Sequence, residues 1–212
     1  LISWEFIFIF LMIYSFVIIL WLASSQSETI KDKRAFDLIS IVNGFSEVFQ
    51  NKITLGFMLI TGVIFGGLVS FLNISQPLFQ DTYLVGDKFP FYFAGTAMVI
   101  GGSALINSWL VTVIRLEVIV TYSLLWVFGW SSIFLSFSLI FKELQLNAFL
   151  IFSVPVFATL GFLFSNVNAL ALMPMGHIAA TASATIGTCS NVIAIIIGAV
   201  SSYFFIASPT PL

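Results

Sequence analysis

Charge in this chain is confined to a few short places, and the stretches between them carry none. Residues 6–27, 53–80, 89–114, 118–141 and 144–212 contain no Asp, Glu, Lys or Arg. A helix needs roughly 20 apolar residues to cross about 30 Å of hydrocarbon. Each of the first four stretches therefore has room for one span, and the fifth, 69 residues long, for two. The reading is an all-α, polytopic membrane helix bundle of about six transmembrane helices, at 6–23, 53–74, 90–113, 119–141, 146–171 and 177–205.

Composition identifies the surrounding medium. Of 212 residues 60% are apolar and 8% charged, with 25 Phe and a mean hydropathy of +1.14, whereas a soluble domain carries about 25% charged residues. The bulk partner is the lipid bilayer. A net charge of -2 gives no clustered field for a nucleic acid. The single cysteine, Cys189, lies in an apolar run and has no second cysteine to pair with; it reads as a small core residue.

The first span is preceded by Glu5 instead of a basic leader and lacks a small-residue cleavage pattern, so it does not read as a signal peptide. The chain starts at Leu1 without Met, which reads as a truncation. Three regions follow: 1–23, a helix closing a preceding half; 24–52, a linker; and 53–212, a bundle of five helices.

Lys and Arg resist translocation, so their distribution sets orientation. With alternating spans, one side holds Lys31, Lys33, Arg34, Lys52 and Arg115, and the other only Lys88 and Lys142. The 24–52 linker is accordingly expected in the cytoplasm. Within it Leu38, Ile41, Val42, Phe45, Val48 and Phe49 recur at helical spacing, the pattern of an amphipathic helix lying on the inner leaflet. The Lys31-Asp32-Lys33-Arg34 cluster before it reads as a solvated linker.

Pro155 falls inside the fifth span, where a missing N–H and a ring clash predict a kink. Pro174 divides the last apolar run into two helices. Small residues four apart mark close helix contact in lipid. Gly176, Ala180 and Ala184 form one such row, Ala179, Ser183 and Gly187 the next, and Gly101-Gly102-Ser103-Ala104 a third cluster.

Catalytic groups are sparse. There is one histidine, no acid deep in a span, and no His, Cys, Asp or Glu cluster at metal-ligand spacing. The chain reads as neither an enzyme nor a cofactor protein. Its intramembrane polar groups are neutral amides: Asn73, Gln76, Asn107, Asn166, Asn168 and Asn191. Singly, such amides join helices; as a set they line a polar cavity. Asn73, Gln76, Asn107 and Asn168 are the substrate-cavity candidates.

The segment from Asn168 through Met173-Pro174-Met175-Gly176-His177 to Thr181-Ala182-Ser183-Ala184 and Gly187 resembles the link between the tenth and eleventh helices of the bicyclomycin and chloramphenicol resistance (Bcr/CflA) branch of the major facilitator superfamily. Phe65-Gly66-Gly67 with Ser75-Gln76-Pro77, Asp87-Lys88-Phe89-Pro90, Asn107-Ser108-Trp109 and Ser208-Pro209-Thr210-Pro211-Leu212 resemble further pieces of it. The sequence departs from that pattern at Met173, where the family has Glu, at Ala180, where it has Gly, and at Trp109, where a basic residue often stands.

The resemblance implies helices six to eleven of twelve, in the bacterial inner membrane. It also implies proton-coupled efflux of small lipophilic drugs by alternating access, in concert with the remainder of the same polypeptide. The proton-handling acids of that family lie largely in the other half. His177, without an acid beside it in sequence, reads as a structural histidine at a cytoplasmic helix junction. Two other classes remain open at this stage, a channel or structural membrane subunit and, with less support, a membrane-embedded enzyme.

Overall fold

The structure, a computed structural model, describes residues 5–25, 38–141 and 145–205. The basic cluster at 31–34, the loop residues 142–144 and the segment 206–212 lie outside the described residues. Among the described residues there are helices and no strands. The chain is an all-α membrane helix bundle.

Its helices are α1 (Glu5–Ser25), α2 (Leu38–Gln50), α3 (Lys52–Pro77), α4 (Phe89–Leu110), α5 (Leu116–Ile140), α6 (Leu146–Leu172) and α7 (Ala179–Phe204). All but the 13-residue α2 have 21 to 27 residues, long enough to cross a bilayer. They coincide to within a few residues with the six expected spans. The chain divides into two units, 1–37 and 38–212. In the first, α1 buries none of its side chains and stacks Phe10 on Tyr14 with ring centroids 6.2 Å apart.

Local chemistry sets the boundaries. Asn51 caps α3, its Oδ1 accepting from the Ile53 and Thr54 amides at 3.0 Å, a standard N-cap exchange. Pro77 does not stop that helix; it leads into a π-helical turn, Leu78–Thr82. The chain then reverses through Leu84 (φ 53) and Gly86 (φ 56). Pro90 occupies the first turn of α4, where an N–H is dispensable. Pro174 begins a 3-10 turn, Met173–Ile178, whose Met175 leaves helical geometry at φ -107, ψ 20.

In the second unit α6 is central, packing on α3, α4 and α5, while α3 and α7 form the most extensive pair. Those two run in the same direction. Ser190 donates to the Met58 carbonyl at 3.0 Å near one end, and Ser70 donates to Ser201 at 2.9 Å near the other. Between them, Cβ atoms added at Gly62 and Gly66 would lie 2.8 Å from Ile193 and Ile197. Glycine is needed there for the backbones to approach.

This seam corrects the expected packing row of the last helix. Gly176, Ala180 and Ala184 are exposed, with nothing within 4 Å of a Cβ at Gly176. The buried positions of α7 are Ala182, Thr185, Ile186, Ser190, Ala194 and Gly198. The helix carries small residues on both sides, so four-residue spacing alone could not choose between them.

The seam between α4 and α6 closes still more tightly. A Cβ at Gly161 would meet Ser103 Oγ, with the Ile100 carbonyl oxygen 2.5 Å away and the Ala104 amide nitrogen 2.8 Å away. Pro155 lies within a continuous α6, so the helix is not broken there. In that turn Thr159 donates to the Pro155 carbonyl at 2.7 Å, and Trp130 of α5 donates its indole N–H to the Phe152 carbonyl at 2.9 Å.

Candidate functional site

The four candidate amides do not converge. Asn107 and Asn166 are 5% and 3% exposed and exchange amide hydrogen bonds across the α4–α6 seam. Asn166 Nδ2 donates to Asn107 Oδ1 at 2.8 Å, and Asn107 Nδ2 donates to Asn166 Oδ1 at 3.3 Å and to Ser165 Oγ at 3.2 Å. Asn107 thus spends its hydrogen-bonding capacity inside the bundle, joining helices.

Asn73, Gln76 and Asn168 are exposed. Gln76 donates to Gln80 at 3.1 Å, and Asn73 overlies Gly198, its Nδ2 3.3 Å from a Cβ placed there. An open depression of about 390 Å³ lined by Ser132, Ile133, Ser136, Phe137 and Ile140 touches none of these amides. It lies along α5, where both serines bond back to their own helix, to the Phe128 and Ser132 carbonyls.

Exposure on α7 changes character along the helix. Over its first half the exposed residues include Ala180, Ser183, Ala184, Gly187 and Asn191; over its second they include Val192, Ile195, Ile196 and Val200. The first half adjoins the 3-10 turn that leads from α6, so exposed Asn168 belongs to the same end of the bundle. Hydrocarbon offers no partner to an amide or hydroxyl. This small, amide-bearing surface is suited to water or to further protein, and the isoleucine-rich half to lipid.

His177 has a partner that its local sequence does not reveal. Its Nε2 lies 2.6 Å from Glu47 Oε1 of α2, 130 residues away. The only sequence signal for the contact is that Glu47 flanks the apolar stripe of α2.

At the opposite end Phe79, fully buried in the π-helical turn, packs on Tyr92 and Phe149 with centroids 5.6 and 5.9 Å apart. Beside it the Tyr83 phenol is pushed up to about 12 by burial. The Tyr83, Thr82 and Thr54 hydroxyls are buried without a hydrogen-bond partner among the described residues. Also among the described residues, no group of three or more His, Cys, Asp or Glu is placed to hold a metal ion.

No protein-family model matches the chain, and neither a curated protein nor a solved structure matches it significantly. The class rests on the fold itself. This is a multi-pass membrane protein whose helices interlock through glycine contacts and buried amides, and whose α6–α7 corner leaves small and amide-bearing residues uncovered.

Proposed function

We propose that the chain is the C-terminal part of a secondary active transporter of the major facilitator type, exporting small lipophilic molecules in exchange for protons across a bacterial inner membrane. The observation that carries this reading is the uncovered surface of Asn168, Ala180, Ser183, Ala184, Gly187 and Asn191. Exposed amides on otherwise apolar helices call for a water-filled cavity or a second protein body. A cavity between two helical halves that rock about a central site supplies both. The resemblance of the 168–187 segment to the Bcr/CflA link supports the same choice.

In this reading the parallel α3–α7 seam and the α4–α6 seam make the half rigid enough to move as one body. Asn168 and Asn191 face the cavity, and Asn107 holds the wall together. The coupling acids, as the resemblance implies, belong to the other half; among the described residues no Asp or Glu lies deep in a span.

The test is export of a lipophilic dye from everted vesicles bearing the full-length protein, driven by an imposed proton gradient. Asn168→Leu and Asn191→Leu are expected to cut export severalfold while leaving thermal stability unchanged. Gradient-independent ion conductance in place of dye export would replace this reading with that of a channel assembled from copies of the chain around the same surface.

A further inference from the structure

Three contacts of different kinds hold α2 on the corner where α6 turns into α7. Val48 is fully buried among Met58, Ala171, Met175, Ala182 and Ile186. Gly44 lets α2 close on Thr181, whose Cγ2 lies 3.0 Å from the place of an added Cβ. Beside Gly44 and Val48, Glu47 Oε1 meets His177 Nε2 at 2.6 Å. The first two contacts are steric and apolar and do not respond to protons. The third joins a carboxylate to an imidazole, a side chain type that ordinarily changes charge between about pH 5 and 8.

We propose that His177 is a proton-sensitive catch. Protonated, it pairs with Glu47 and holds α2, and with it the entry into α3, against the α6–α7 corner. Deprotonated, it loses the ion pair and α2 is released more readily.

Among the described residues of the elements packed there, few charged groups stand beside the pair. On the elements packed there, α2 carries Glu47 as its only charged residue and α3 carries only Lys52. No charged residue lies on α6 or α7, and the turn between them has His177 alone. The other titratable groups of α7 are Cys189, packed against the apolar core of the corner, and Tyr203, near the far end of the helix.

The size of the effect is bounded by solvent. The two side chains are 60% and 46% exposed, and a half-solvated ion pair shifts an equilibrium by a few-fold, not by orders of magnitude. The Val48 and Gly44 contacts keep α2 near its seat, so the catch adjusts an equilibrium between docked and displaced α2 without melting the corner. Nothing in this depends on what the protein transports.

The experiment is a distance measurement on the full-length protein in lipid nanodiscs. Spin labels are placed at Asn43→Cys and Ala180→Cys, both exposed, with Cys189→Ser to remove the native thiol. Between about pH 5 and about pH 8 the ratio of docked to displaced α2 is expected to fall roughly two- to fivefold. His177→Lys, charged at both pH values, should keep the docked ratio throughout. Glu47→Gln and His177→Gln should show the lower ratio at both. An unchanged wild-type distribution would overturn the catch, as would a pH response that survives in Glu47→Gln or His177→Gln.

Discussion

Asn107 and Asn166, 59 residues apart in sequence, lie amide to amide in the buried seam between α4 and α6, exchanging hydrogen bonds of 2.8 and 3.3 Å. Removing Asn107 takes both bonds from the Asn166 amide, and removing Asn166 leaves Asn107 only its bond to Ser165 in an apolar interior. Asn107→Ala and Asn166→Ala should each lower thermal stability in detergent. The double variant should cost less than their sum, with a coupling of about 0.6–2 kcal/mol. Strict additivity would show that the two amides do not bond to each other.

Gly161 lets α6 lie directly on the backbone of α4, with the Ile100 carbonyl oxygen 2.5 Å from any added Cβ. Backbone cannot rotate aside as a side chain can. Gly161→Ala should therefore destabilise by roughly 1–3 kcal/mol, whereas Gly102→Ala, with nothing within 4 Å, should be neutral. Comparing their melting temperatures tests whether α4 and α6 meet at this point.

The two sides of α7 should differ in the same way. Ala194 is 2% exposed and Ala184 is exposed. Ala194→Leu should overpack the seam with α3 by roughly 1–3 kcal/mol, while Ala184→Leu should leave stability nearly unchanged. Equal losses would mean that both sides of α7 are packed.

Tyr83 buries a phenol that has no hydrogen-bond partner among the described residues, and burial pushes its pKa from 10.0 to about 12. Removing the hydroxyl should cost nothing, so Tyr83→Phe is expected to melt at the same temperature as the parent protein or higher. The folded state keeps the phenol proton longer than the unfolded state does. Ionisation of this group therefore leaves stability untouched below about pH 10 and lowers it as the pH rises toward 12. Tyr83→Phe should lack that part of the alkaline decline, read from denaturation midpoints across this range.

The number and position of the spans were legible in the sequence because the cost of placing a charge in hydrocarbon is paid locally. Asp81, Asp87, Lys88 and Arg115 fall outside α3, α4, α5, α6 and α7, and Lys52 and Glu117 stand in the first turns of α3 and α5. The break at Pro174 and the amphipathic α2 were legible for the same reason, since each is written in neighbouring residues.

Which helix face meets which neighbour was decided only by the tertiary structure. An apolar helix in an apolar medium has no polar side to turn outward. On α7, Ala180 and Ala184 had the same four-residue spacing as the buried Ser190, Ala194 and Gly198, and only packing against α3, where Ser190 meets Met58 and Gly198 meets Val69, selected one row. The Asn107–Asn166 exchange and the Glu47–His177 pair likewise join residues 59 and 130 apart. Such pairings arise from how the helices are arranged in space, which no local stretch of chain encodes.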